Sequence, residues 1–317
     1  MPFDPDICFM PCTSSLPVSD AAPRDPLADR RFAYAAAAAE DGAWQEAAEL
    51  FEQAIERAPA WTAAWIGLGD ARAAGGDRAQ ALEAYRQALT LDPADLHGAA
   101  LKIATLDSAT LPSQAPPAYV SALFDEYAPR FEAHLTGKLG YCGPADLAGA
   151  LAELGRTRFA HAIDLGCGTG LGGVAFRPMV SKLTGVDLSP KMIEAAEAKG
   201  IYERLETKDI LAFLQDEPTE SAGLILAADV FIYLGDLAPV LFEAARVLPK
   251  DGTLAFTAQR CSTGIEVGPD LRFAHSSTLI SDVLTRCGFR ILMLREHSAR
   301  REKGSDVPGL LAVAARA

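Results

Sequence analysis

Hydrophobic and polar positions divide the chain into stretches of different period. From Arg30 to about Leu106 the chain is rich in alanine, and apolar residues recur at helical spacing. This stretch also repeats itself. Gly42 and Gly76, Ala47 and Ala81, Phe51 and Tyr85, Ala54 and Ala88, and Pro59 and Pro93 each stand 34 residues apart. Small residues let paired helices approach, aromatics fill the space between them, and each proline marks a helix boundary. Residues 107–118, DSATLPSQAPPA, have the composition of a linker. Three- and four-residue spacing then predicts helices through YVSALFDEYAPRFEAHLTGKLGYCGPADLAGALAEL. Beyond it the pattern changes to short apolar runs: FAHAIDLG, KLTGVDLS, AGLILAADVF, GTLAFTAQ and FRILMLRE. Helical stretches such as PKMIEAAEAKG and DLAPVLFEAARVL separate them. Near-continuous apolar strands alternating with helices predict an α/β fold with a mostly parallel sheet covered on both faces.

A 34-residue period is that of tetratricopeptide repeats. Trp65, Leu68 and Gly69 precede Ala81, Tyr85, Ala88 and Pro93 in the expected order, and the stretch closely resembles that family. In the first unit Arg31, Tyr34 and Ala35 occupy the Trp, Leu and Gly places. Stacked repeats need about three units to bury a core, so either Asp95 to Leu106 is expected to act as a cap or the array is expected to lean on the next domain. The resemblance implies either a face for a protein partner or a scaffold that binds nothing. The predicted organisation is a disordered tail over 1–28, a helical repeat domain over 29–106, a linker over 107–118 and a catalytic domain over 119–317.

Charge and cysteine content narrow the function. The formal net charge is −13 and no basic run occurs, which argues against a nucleic-acid partner. Cysteines stand at 8, 12, 142, 167, 261 and 287, and only Cys8 and Cys12 are close. No second pair completes a metal site, so reduced thiols in a cytoplasmic protein are expected, without a metal. No apolar run approaches the roughly 20 residues that span a bilayer. The opening MPFDPDICFMPC is acidic and proline-broken, unlike a signal peptide.

The candidate chemistry lies in Asp164-Leu165-Gly166-Cys167-Gly168-Thr169-Gly170, which leaves an apolar strand and enters a helix. Glycines allow a sharp turn and close approach to a ligand at the carboxyl end of a strand. A dinucleotide fingerprint counted from Gly166 would need glycine or alanine where Leu171 stands. No Lys or Arg nearby offers charge to a pyrophosphate, and Asp164 suits a ligand bearing an ammonium group. All three points disfavour a nicotinamide-dependent oxidoreductase. Asp187, which closes the next strand, can accept both hydroxyls of a ribose, an interaction common to either cofactor.

D-L-G-C-G-T-G followed by G-V-D-L-S-P-K-M resembles the class I S-adenosylmethionine-dependent methyltransferases, from about Phe124 to the C-terminus. The resemblance implies a Rossmann-like seven-stranded sheet ending in an antiparallel strand, with S-adenosyl-L-methionine as cofactor. It places Asp164, Gly166, Cys167, Gly168 and Gly170 around the cofactor's amino-acid end, and Asp187 on its ribose. Leu188 and Met192 fall near the adenine, Asp209 on its amino group, Ile210 against its ring, and Ala227 beside the methyl. The combination with repeats resembles a bacterial group of repeat-containing methyltransferases.

Methyl transfer requires alignment and water exclusion more than a catalytic triad. Candidate acceptor-side residues are Tyr127, which in this family lines the cofactor pocket as well, then His134, Lys138 and Tyr141 on the same segment. Tyr233 follows the fourth strand, and Arg272 and His275 precede the last helix. His134 or His275 is a candidate base. The fourth motif reads A-A-D-V and not N-P-P-Y, which further disfavours DNA bases as acceptors. A small-molecule or carrier-bound acceptor is expected. The alternatives are a protein acceptor held by the repeats, or a repeat-based binding protein with an inactive α/β domain.

Overall fold

In the computed structural model, residues 25–138, 140–298, 300–302 and 305–317 are described. The predicted tail over residues 1–24, with Cys8 and Cys12, lies outside them. The described chain divides into two compact units: residues 25–119 with Val267–Leu271, and Val120–Glu266 with Arg272–Ala317.

The first unit contains α1 (Pro26–Glu40), α2 (Trp44–Arg57), α3 (Thr62–Ala74), α4 (Arg78–Leu91) and α5 (Ala99–Leu106). Helix α1 begins ahead of the predicted boundary at 28. Asp25 accepts hydrogen bonds from the Leu27 and Ala28 amides, and Pro26 opens the helix with a preset φ. The repeat follows from size matching. The Phe51 ring lies where a Cβ on Gly67 would stand, at 2.4 Å, and the Tyr85 ring does the same at Gly69, at 2.3 Å. Small residues on α3 thus receive an aromatic from each flanking helix. Tyr85 also donates to Asp70, which accepts from Lys102 as well. The predicted linker is shorter than expected: Asp107 caps a turn at Ser108–Thr110, and α6 (Pro117–Tyr127) starts at its proline.

After α6 the second unit continues through a π-helical turn at Ala133–Lys138. Then come α7 (Gly143–Glu153), β1 (Phe159–Leu165), α8 (Leu171–Phe176), β2 (Val180–Asp187), α9 (Pro190–Glu197), β3 (Arg204–Thr207), α10 (Ile210–Asp216) and β4 (Leu224–Ala227). The chain goes on as α11 (Ala238–Val247), β5 (Thr253–Arg260), β6 (Ile265–Val267), β7 (Phe273–His275), α12 (Ser277–Arg286), β8 (Phe289–His297), β9 (Arg301–Glu302), β10 (Ser305–Asp306) and β11 (Gly309–Arg316). Seven strands lie in the order β3-β2-β1-β4-β5-β11-β8, with β7 added beside β5 and β6 beside β7. Strands β1 to β5 pair in parallel, and β11 runs antiparallel between β5 and β8.

Alternation along the strands fills both faces. Ile163, Leu165, Ile225, Ala227, Leu254 and Phe256 pack with α10, α11 and α12 through Phe213, Leu241 and Leu284. Ala162, Leu224, Leu226, Ala255, Leu311 and Val313 pack with Leu147, Leu151 and Phe176 on the other face. Each fully buried Leu, Ile or Phe contributes about 1.5–3 kcal/mol. This two-sided burial explains why the strands read as unbroken apolar runs. Strand β4 is only Leu224–Ala227, shorter than the apolar run predicted. Asp229 adopts φ +58°, and the chain turns into a short 3-10 helix at Phe231–Tyr233. No described helix is long and apolar enough to cross a membrane.

Candidate active site

Strand order reverses at β1, which has β2 on one side and β4 on the other. At such a point the loops beyond the strand ends diverge and leave a crevice. The glycine loop between β1 and α8 occupies it. Gly166, Gly168 and Gly170 have φ of +61°, +53° and +92°, conformations that side chains resist. At Gly166 space also forbids a side chain, since a Cβ would stand 2.5 Å from Val230 Cγ2. The loop is joined to β2 by the Cys167 amide, which donates to the Val186 carbonyl at 3.0 Å. Cys167 is itself buried.

Asp187 at the end of β2 is held from two sides. Its Oδ2 accepts from the Gly168 amide and its Oδ1 from the Ser189 amide, each at 2.9 Å. Burial raises its pKa, and the amides that bond the ionised form pull it back. The carboxylate is therefore oriented by backbone, and each oxygen keeps a further lone pair for a diol.

Asp164 lies within β1, 2% exposed. Its Oδ2 accepts from the Tyr202 hydroxyl at 2.8 Å, and that hydroxyl accepts from the Gly173 amide at 3.1 Å. Tyr202 thus ties the carboxylate to the first turn of α8. No local pattern signals this contact, because the two partners lie 38 residues apart. Burial pushes the Asp164 carboxyl up to about 7, opposed by the Tyr202 hydrogen bond and reinforced by the Asp187 charge. Among the described residues no cation contributes to that balance. The arrangement favours a cationic ligand group, which would restore the ionised form.

A second layer comes from α6 and the segment after it. Asp125 Oδ1 accepts from the Ser189 hydroxyl at 2.5 Å and from the Lys191 amide at 3.3 Å. Ser189 in turn caps α9 by accepting from the Met192 amide. Ser121 donates to the Leu188 carbonyl, and Glu132 pairs with Lys199. These contacts dock α6 on the start of α9, beside Asp187.

The same segment forms an aromatic cluster. Tyr127 meets Phe131 edge-on at 5.3 Å, and Phe124 meets Phe131 at 6.0 Å and Tyr233 at 5.7 Å. Phe131 faces Gly168. The Tyr127 hydroxyl is in close contact with His134 Nδ1. Burial pushes the Tyr127 phenol up to about 12, with Arg130 and Arg272 acting against it. Tyr233 is raised by burial too, countered by Arg272 and Arg300. Three of the predicted acceptor-side residues, Tyr127, His134 and Tyr233, are therefore brought together. His275 is not among them. Its fully buried ring lies 3.4 Å from the Gly235 carbonyl, and burial lowers its pKa.

The remaining predicted residues divide between solvent-shielded wall and local cap. Met192, Ile210 and Ala227 are buried, and Leu188 is half-buried. Asp209 caps α10, its Oδ1 accepting from the Leu211 and Ala212 amides. Asp229 pairs at 2.9 Å with Arg300, a buried residue that sequence reasoning did not single out. Arg272 is buried and Tyr141 is shielded, its phenol raised well above its ordinary value by burial. The Lys138 side chain lies outside what is described.

A mostly parallel sheet with its glycine loop at the switch point, and an acidic residue at or next to the end of each of its first two strands, defines a Rossmann-like α/β domain. Residues 163–256 match the methyltransferase domain family, and residues 62–95 match the tetratricopeptide repeat. Methyltransferase-like protein 27 of Homo sapiens is 36% identical over 101 residues, covering 31% of this chain and 39% of its own. The ribosomal protein L11 methyltransferase of Shewanella pealeana is 31% identical over 105 residues, covering 32% of this chain and 36% of its own. A Leishmania major S-adenosylmethionine-dependent methyltransferase superposes with TM-score 0.51 at 15% identity, covering 60% of this chain and 80% of its own, and so shares the fold. The chain spans about half or less of the length of these curated relatives. Residues 163–256 are thus a methyltransferase domain by this match, and the helical unit carries a tetratricopeptide repeat over residues 62–95.

Proposed function

We propose that this protein transfers a methyl group from S-adenosyl-L-methionine to a small-molecule or carrier-bound acceptor. One observation carries the reading: Asp164, buried and with no cation among the described residues contributing to its charge balance, stands near a second carboxylate, Asp187, whose oxygens backbone amides orient. The cofactor offers an ammonium group to the first and a ribose diol to the second. Leu188, Met192, Asp209 and Ile210 would hold its adenine, and Gly166, Cys167, Gly168 and Gly170 its amino-acid end. When bound, it supplies an electrophilic methyl on a cationic sulfur.

The chain's own groups do the rest. Tyr127, Phe131 and Tyr233 shield the methyl from water and align the acceptor. If the acceptor loses a proton, the Tyr127 oxygen takes it while the phenolic proton passes to His134 Nδ1. The contact between those two groups supports that relay. Enclosing aromatic walls favour a small acceptor.

A protein acceptor held by the repeats is a second reading. It is favoured by the repeat unit and by the Shewanella relative, a ribosomal protein L11 methyltransferase. Incubation with labelled methyl donor and cell extract separates the two. Label in dialysable compounds supports the first reading, and label in protein bands supports the second. Label transfer that persists in Asp164→Ala and Asp187→Ala contradicts both.

A further inference from the structure

Cys142, Asp146 and His297 converge where the start of α7 meets the end of the edge strand β8. One ligand atom from each lies within 4.8 Å of the other two. Cys142 caps α7 and Asp146 follows four residues later, so both project from the same face of the helix's beginning. His297 closes β8. Asp146 Oδ2 stands 3.4 Å from His297 Nε2, and that nitrogen is shielded from water and makes no hydrogen bond among the described residues. The Ser298 carbonyl is 3.7 Å from the Cys142 sulfur. None of these residues belongs to the cofactor cradle or the aromatic cluster.

We propose that Cys142, Asp146 and His297 form a binding site for a borderline-soft divalent cation, Zn2+ by its donor set, fastening α7 to β8. One sulfur, one imidazole nitrogen and one carboxylate oxygen suit zinc, whereas calcium and magnesium take oxygen alone. Ligands around a tetrahedral zinc stand about 3.3–3.8 Å apart, given bonds of about 2.0–2.3 Å. The Asp146–His297 spacing of 3.4 Å already meets this, and rotation of the Cys142 side chain closes the rest. Water or the Ser298 carbonyl completes the fourth position. Binding breaks the S–H bond, forms the metal–sulfur bond and releases one proton to solvent.

The test uses the full chain, stripped with chelator and titrated with Co2+ alone, then with Zn2+. One equivalent of Co2+ is expected to give a thiolate-to-metal absorption band and tetrahedral visible bands, both displaced by Zn2+. Cys142→Ser should lose the thiolate band. Asp146→Asn and His297→Ala should weaken Zn2+ binding by at least about 100-fold, since even outer-shell losses reach that size. Metal-free variants that melt with the metal-free wild type show that they remain folded, and Zn2+ should raise the melting temperature of the wild type alone. Proton release on Zn2+ addition in weak buffer should also vanish in Cys142→Ser. No thiolate band in the wild type, or one that persists in Cys142→Ser, overturns the proposal. So does Zn2+ affinity unchanged in His297→Ala.

Discussion

Asp164 and Tyr202 form a coupled pair whose behaviour depends on pH. Asp164 has its carboxyl raised from 3.8 to about 7, mainly by burial. A cationic ligand prefers the ionised form. Cofactor affinity should therefore rise as pH climbs toward about 7 and level off above it. Asp164→Asn should bind weakly with no such slope, and a flat wild-type profile over that interval would refute the assignment. Stability of the cofactor-free protein runs the opposite way. The folded state holds this proton more tightly than the unfolded one, so the contribution is present at acid pH and declines from about 4 to about 7. Asp164→Asn should consequently melt higher than wild type above neutrality. Tyr202→Phe removes a hydrogen bond that lowers the Asp164 pKa, so the midpoint of cofactor binding should move to higher pH. It also leaves the Gly173 amide without its partner, a loss of about 1–3 kcal/mol that chemical denaturation can measure. An unmoved midpoint would mean that Tyr202 is packing only.

Asp125 makes two of the polar contacts that hold helix α6. Asp125→Ala should free α6 from the start of α9. We expect faster proteolysis around 120–140 and a raised cofactor Kd, with little change in global melting. Identical proteolysis would show that apolar contacts alone dock the helix. In the repeat unit, Gly67→Ala places a Cβ inside the Phe51 ring position. Overpacking of this kind destabilises by about 1–3 kcal/mol. Thermal melting should record the loss, while cofactor binding stays at the wild-type value. These elements were unequally legible in sequence. Helices α2 to α4 followed from the 34-residue spacing, and β1, β2 and β5 from their apolar runs. Strand β3, RLET, was hidden because a four-residue polar strand at the sheet edge carries no periodic signal. Strand β11 came only from the family resemblance, since its alanines read equally well as helix.

Across the chain, local motifs were legible and long-range contacts were not. D-L-G-C-G-T-G and V-D-L-S announce their chemistry because a backbone turn and its carboxylates are encoded within a few residues. Tyr202, Ser189, Asp125 and Arg300 act through partners distant in sequence, which only the strand order brings near. His275, chosen by residue type, lies instead in the interior against the Gly235 carbonyl. The surplus of 13 negative charges is consistent with an acceptor other than nucleic acid. Calorimetric titration of S-adenosylhomocysteine into the wild-type chain and Asp187→Ala asks the decisive question. Saturable binding at one site is expected, weakened by about 100-fold or more in the variant, because two charge-assisted hydrogen bonds worth about 1.5–3 kcal/mol each are lost. Equal affinity in both proteins, or no binding to the wild type, would contradict the assignment.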